Sequence, residues 1–360
     1  MLNYNVRYFL ELCLKSAEGA IKNIEAEIIV VDNNSPDDSC AMVKQLFPTV
    51  QLIENKENLG FSKGNNIGVT EAKGEYICIL NPDTVVAEDT FNKLIEFAGE
   101  QQNLGIVGCQ LIDGKGKFLP ESKRNIPKPE IALKKLLGND KAYYANQLKV
   151  DAIGEVKVLV GAFMLIKRDV YNVVGGFDED YFMYGEDIDL SYKILKAGYN
   201  NMYYGKATVV HFKGESTLRD ANYAKRFYGA MQIFYKKHFK QNILFNAIVW
   251  LAIKSAYKLR KSSNPTKVTS RNILIYSNEI EESLKQQLSQ PIAIRAEIKN
   301  NIPNNTLVIY DLDILKTQDV IEDMKKKSKQ ENMVFRFLPK NSKFILGSDS
   351  AINRGEVVNF

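Results

Sequence analysis

A chain of 360 residues with 45% hydrophobic and 25% charged side chains can bury a large core, and the length suggests about two domains. That composition excludes a globally disordered chain, and a net charge of +5 gives no reason to expect a nucleic-acid partner. Cys13, Cys40, Cys78 and Cys109 contain no Cys-x-x-Cys pair, which argues against a disulfide framework or a zinc site and fits the reduced thiols of the cytoplasm.

Met1-Leu2-Asn3 reads as the tail of a strand. A strand usually has about 5–6 residues, so the first one is expected to be truncated. Asn5 reads as a helix N-cap, and Val6, Phe9, Leu10, Cys13 and Leu14 follow at amphipathic helical spacing. The apolar run Glu27 to Val31 suits a strand buried on both faces. It ends in the turn cluster Asp32 to Ser39, before a helix through Val43 and Leu46. A short strand at Val50 to Ile53 precedes a Gly/Asn-rich loop, Asn58 to Gly68, which leads into a helix. Tyr76 to Leu80 is another buried strand and runs directly into Asn81-Pro82-Asp83-Thr84. This alternation predicts an α/β fold with a mostly parallel, doubly wound sheet. Ligands of such sheets bind beyond the carboxyl ends of the strands, where Asp32 and Asp83 both stand.

From Asp113 to about Leu148 the pattern loosens, with Gly114, Gly116, Pro120, Pro127 and Pro129 among many lysines. This stretch reads as a mobile excursion, a candidate lid, whose Arg124 could pair with phosphate or stand solvated. Strands are expected again at Val156 to Val160 and Phe163 to Ile166, then a helix from Arg168 stopped at Gly175-Gly176. The aromatic-rich run Gly176 to Met183 leads into Tyr184-Gly185-Glu186-Asp187-Ile188-Asp189-Leu190. Three carboxylates beside so many rings are costly unless an electrophile or a cation uses them, which places the catalytic base on this turn. A helix from Glu186 to Ala197 would close at Gly198, with Asp189 and Lys193 as a solvated i,i+4 pair. Val209-Val210-His211 reads as a last short strand.

Residues 234–265 form a basic, apolar connector in which His238 looks like an ordinary surface residue. Its apolar run, Ile243 to Ile253, falls well short of the ~18 residues of a membrane span. Flanked by Lys236, Lys237, Lys240, Lys254, Lys258, Arg260 and Lys261, it admits two readings: an interfacial helix on an anionic membrane, or a helix packed between domains. Residues 266–360, with strand signals at Ile273 to Tyr276 and Leu307 to Tyr310, read as a small α/β domain. It has no Gly-rich phosphate loop and no evident chemistry; its expected role is structural or interactive.

One ordered set of segments spans roughly residues 1–240: Asn3-Tyr4-Asn5, Val31-Asp32-Asn33-Asn34-Ser35, Asn58-Leu59-Gly60-Phe61, Leu80-Asn81-Pro82-Asp83-Thr84, Gly175-Gly176-Phe177-Asp178-Glu179, Phe182-Met183-Tyr184-Gly185-Glu186-Asp187-Ile188-Asp189, and His211. It resembles the family-two inverting glycosyltransferases with a GT-A fold, in particular the bacterial rhamnosyltransferase-like branch. The resemblance implies a GT-A domain over residues 1–233. It puts Asp83 at the final carboxylate of the family's Asp-x-Asp metal motif, with Asn81 at the first position, and makes His211 a further ligand of Mg²⁺ or Mn²⁺. It makes Asp32 the partner of the donor's pyrimidine ring. Asn5, Asn58, Lys63 and Asn66, with Asn81 and Asp83, become donor contacts. It makes Asp187 the general base and Glu186 the acceptor-side carboxylate, with Arg124 near the diphosphate or acceptor.

The implied activity is transfer of a hexosyl residue, rhamnosyl being one candidate, from a nucleotide-diphosphate sugar to a glycan or polyprenyl-diphosphate-linked acceptor of surface polysaccharide assembly. The implied location is the cytoplasm or the inner face of the cell membrane. The alternative is a catalytically weak sugar-nucleotide-binding or scaffold protein. A Rossmann oxidoreductase is disfavoured, because no Gly-x-Gly-x-x-Gly follows an early strand.

Overall fold

A computed structural model describes residues 1–136, 138–214, 221–239, 272–288, 290–350 and 354–360 of the chain. It begins with a parallel βαβαβ unit. Strand β2 (Ile29–Asp32) lies between β1 (Leu2–Asn3) and β3 (Gln51–Glu54), in register with both. Helices α1 (Arg7–Ile21) and α2 (Ser39–Leu46) make the crossovers. The expected cap of α1 is corrected. Val6, not Asn5, is its N-cap residue, and no side chain of that residue caps it. Asn5 sits at φ 58°, a left-handed conformation that asparagine tolerates, with its amide on Ser35 Oγ at 2.9 Å. The amide of Arg7, in the first turn, is met instead by the carboxylate of Asp37 at 3.1 Å.

The central sheet contains β4 (Tyr76–Leu80), β5 (Thr84–Val85), β6 (Leu104–Ile112), β7 (Ile153–Glu155), β8 (Phe163–Lys167) and β9 (Asn200–His211). Its order is β4-β8-β6-β9-β5, with β7 also on β9. Only β6 and β9 run parallel within it, so the mixed character of the α/β fold lies in this sheet, whereas β1, β2 and β3 are all parallel. The Asn81-Pro82-Asp83 turn leads from β4 into β5, which joins β9 antiparallel, with Thr84 opposite His211. Two further expectations shift: the strand placed at Val156 to Val160 lies earlier, at β7, and the last short strand is the end of the long β9.

Helices α3 (Gly60–Glu71), α4 (Thr90–Gly99), α5 (Pro129–Leu136), α6 (Arg168–Val173), α7 (Glu186–Lys196) and α8 (Ala221–His238) complete this half. The region expected to be a mobile lid is anchored over much of its length. Pro120–Ser122 is a 3-10 turn, Ser122, Lys123 and Arg124 are buried, and Arg124 bridges both Tyr144 and Val158. Its prolines and glycines shape tight turns against the sheet; the hairpin turn at Asp113, for example, is held by amides of Lys115 and Lys117 on its carboxylate, each at 2.9 Å.

A second six-stranded sheet follows: β10 (Asn272–Tyr276), β11 (Ile292–Arg295), β12 (Thr306–Asp311), β13 (Val334–Leu338), β14 (Phe344–Gly347) and β15 (Glu356–Asn359), ordered β11-β10-β12-β13-β14-β15. One hydrophobic core joins it to the first half. Val6, Phe9 and Leu12 of the α1 region, Val85, Ile112, Val210 and Phe212 pack with Leu274, Tyr310, Phe335, Phe337, Phe344 and Leu346. Polar bonds cross the same seam. Lys15 reaches Glu11 at 2.6 Å, the Lys340 carbonyl at 2.5 Å and Ser342 Oγ at 2.7 Å. Glu88 accepts the amides of Thr317 and Gln318, capping the helix Thr317–Lys327. A Cβ on Gly114 would lie 2.3 Å from the Ser348 carbonyl oxygen, so only glycine permits that approach. The apolar run 243–253, most of its flanking basic residues and the linker at 262–265 lie outside the described residues. Among the described residues, no helix is long and apolar enough to cross a membrane.

Candidate active site

The site is assembled from strand ends and the turns that leave them. Asp32 closes β2 and is buried. Its carboxylate accepts Asn3 Nδ2 at 2.6 Å, the Ser35 amide at 2.8 Å and Ser35 Oγ at 2.6 Å, an Asx turn braced by β1. Asn33 carries the contact onward, donating to Asn58 Oδ1 at 3.2 Å and the Gly60 carbonyl at 3.0 Å. Gly60 then makes the closest approach of the region. It sits at φ +80°, and a Cβ there would fall 2.4 Å from the Phe182 carbonyl oxygen. The Phe61 amide donates to that same oxygen at 2.7 Å. The Asn58–Phe61 loop and the run leading into the acidic turn are therefore joined by backbone.

Among the expected donor contacts, Asn66 is held within the protein. Both amide protons of Asn66 are taken, by the Phe177 carbonyl at 2.9 Å and Glu179 Oε1 at 3.0 Å. Its carbonyl oxygen receives Tyr171 OH at 2.6 Å and the Phe177 amide at 3.1 Å. That is a brace for the Gly175–Glu179 turn, with no donor left for a substrate. Lys63 is exposed on α3.

Asp83 and His211 come together at the mouth of the central sheet. His211 Nε2 lies 3.4 Å from Asp83 Oδ1 and 3.4 Å from Asn81 Nδ2. Asp83 is fully buried, yet neither carboxylate oxygen accepts a hydrogen bond, and His211 Nδ1 is also buried without a partner. An orphaned, desolvated carboxylate beside an imidazole is costly alone and suits a cation held by oxygen and nitrogen donors. These residues therefore fit a divalent metal, although no described group of three or more His, Cys, Asp or Glu could hold one unaided. The remaining ligands would have to come from substrate and water.

The acidic turn is connected to that pair. The Asn81 amide donates to the Ala162 carbonyl at 3.0 Å, and the adjoining Gly161 amide donates to Asp187 Oδ2 at 3.2 Å. Arg124, expected near phosphate or in solvent, is buried and donates from Nη2 to Asp187 Oδ2 at 2.5 Å. The reason is local: the backbone of Arg124 pairs with Val158, which aims its side chain inward. Glu186 is buried beside Asp187, and its Oε2 has no partner. Burial, then the Asp187 charge, raises its pKa to about 8.

Asp189 is a further correction. It is fully buried rather than solvated, facing Lys193 at 3.5 Å, Tyr181 OH at 3.3 Å and His238 Nε2 at 2.5 Å. His238 is accordingly a half-buried partner of α7, not a surface residue. Nothing in the local sequence marks the Asp189–His238 or the Asp187–Arg124 pairing, since those partners come from different elements.

The description "Glycosyl transferase family 2" matches residues 1–175. Over that segment, just under half of its length, the chain is similar to the glycosyl transferases of family 2. It is similar to the N-acetylglucosaminyl-diphospho-decaprenol L-rhamnosyltransferase of Mycobacterium tuberculosis, with 28% identity over 211 residues, 54% of this chain and 68% of that protein. It is also similar to rhamnosyltransferase WbbL of Escherichia coli, with 28% identity over 162 residues, 42% of this chain and 61% of that protein. Among solved structures, a mannosyltransferase from Pyrobaculum calidifontis in complex with GDP-Man and Mn²⁺ is 19% identical, at a TM-score of 0.47 over 72% of this chain and 68% of that one.

Proposed function

We propose that this glycosyltransferase moves a hexosyl residue, rhamnosyl being the first to test, from a nucleotide-diphosphate sugar to a glycan or lipid-diphosphate-linked acceptor, with inversion. The observation that carries the reading is the spacing of two half-sites along one chain of bonds. The orphaned Asp83–His211 pair stands at one end, and Asp187 at the other, joined through Asn81, Ala162 and Gly161. The rhamnosyltransferases among its relatives support the sugar and acceptor classes.

Asp83 and His211 would hold Mg²⁺ or Mn²⁺, which when bound offsets the charge that develops on the departing diphosphate. Asp32, at the end of β2, faces the donor's base, and Asn5 and Asn58 border the same loop cluster. Asp187, at the start of α7 where the helix dipole favours a carboxylate, takes the proton of the acceptor hydroxyl. The acceptor oxygen then bonds to the anomeric carbon, and the carbon–phosphate-oxygen bond breaks with its electron pair leaving on the nucleotide. One displacement on one face needs no enzyme nucleophile. Glu186 borders the acceptor.

The test is a screen of dTDP-rhamnose, UDP-glucose, UDP-N-acetylglucosamine and GDP-mannose for hydrolysis with and without Mn²⁺. One donor should be turned over in a metal-dependent way, and Asp187→Asn should lower that rate by about 10²–10⁴-fold. Nucleotide binding without turnover of any donor would favour a scaffold instead.

A further inference from the structure

The proposed mechanism leaves Arg124 without a task, and its setting is unusually determined. Its amide donates to the Val158 carbonyl at 2.9 Å, and the Val158 amide returns a bond to the Arg124 carbonyl at 3.0 Å. Nη2 donates to Leu159 O at 2.9 Å and to Asp187 Oδ2 at 2.5 Å. The Gly161 amide adds a second donor to the same Oδ2 at 3.2 Å. Oδ1, by contrast, accepts only the Ile188 amide, at 2.8 Å, among the described groups.

We propose that Arg124 is a positioning residue for Asp187, pinning one carboxylate oxygen so that the other is presented to the acceptor hydroxyl. This rests on Asp187 being the base. A guanidinium suits the task because one planar group can bond a carbonyl and a carboxylate together, whereas an ammonium acts as a point charge. The pairing also bears on a phosphate-binding role: an arginine neutralised by a buried carboxylate offers little net charge to a diphosphate. The groups that face the pair are Tyr143, packed against Arg124, and Glu186 and Asp189 on α7. Lys135 of α5, with Glu121, Asp140 and Lys213, adds further charge near Arg124.

The proposal predicts a kinetic pattern in Mn²⁺-dependent hydrolysis of whichever of those four sugar nucleotides the wild type turns over. Arg124→Gln should lower kcat by about 10²-fold with donor KM nearly unchanged. The acidic limb of its pH–rate profile should move up, because the carboxylate loses its neighbouring cation. Arg124→Lys should recover part of the rate and part of the limb. A raised donor KM with an unmoved limb would instead make Arg124 a phosphate contact and overturn the proposal. So would a loss of rate that matches only the loss of folded protein in a thermal melt. If Arg124→Gln does not fold, Arg124→Lys decides: a wild-type rate and limb overturn the idea. Wild-type hydrolysis by Asp187→Asn would sink the base assignment itself, a separate failure.

Discussion

Glu186 and Asp187 are neighbours in sequence with opposite surroundings. Asp187 meets Arg124 and the Gly161 amide, while Glu186 Oε2 is buried without a partner. Environments that divide two adjacent carboxyls are a usual way to keep one ionised and the other protonated near neutrality. The Glu186 shift has a stability consequence. Its folded-state pKa is raised to about 8 from an ordinary 4.5, so the folded state binds the extra proton between those values. Stability from this group is full below about pH 4.5 and is lost as pH rises through 8. Wild-type melting temperature should therefore fall over that window by roughly a few degrees more than that of Glu186→Gln, as read by scanning calorimetry. Parallel slopes for the two proteins would refute it. The two carboxyls are legible in the sequence because they lie in one turn. Arg124 is not, because its partner is 63 residues away and only the Val158 bridge aims it.

At the level of elements, α7 is held from behind by α8. Tyr181, Ile188, Ala230, Met231 and Phe234 share a cluster, and His238 bonds the buried Asp189. Removing that partner leaves a desolvated carboxylate underserved. His238→Ala should cost about 1–3 kcal/mol, seen as a lower urea midpoint with an unchanged slope. No loss of stability would show that Lys193 and Tyr181 suffice. Sequence reading finds elements whose apolar residues recur at a fixed period, such as α1, and strands flanked by turn signals, such as β2 and β4. Strand β6 escapes it, since all nine of its residues are buried and Gly105 and Gly108 interrupt the apolar run. The first nine residues of β9 escape too, their Asn, Lys and Gly reading as a loop. Pairing of β5 with β9, and with it the meeting of Asp83 and His211, is a tertiary fact that no local pattern encodes.

Across the whole molecule, the second sheet acts as a wall of the catalytic half. Two units read from the sequence share the core around Phe9, Phe212, Tyr310 and Phe344, and Glu88 and Lys15 bond across it. A fragment of residues 1–239 would expose that apolar face to water. It should aggregate or lack a cooperative melt, whereas the full chain should unfold in one calorimetric transition. A soluble fragment with a sharp melt of its own would show the wall to be dispensable.

The shared core also sets a timetable for synthesis. Phe9 and Phe212 leave the ribosome well before Phe344 and Leu346, which cover them. At about 5–20 residues per second, the interval between Phe212 and Phe344 is on the order of ten seconds. Throughout that interval the nascent glycosyltransferase half carries an uncovered apolar face, and a chaperone would find it there. Covering of that face is thus timed by Phe344 and Leu346, long after Phe9 and Phe212 have been translated.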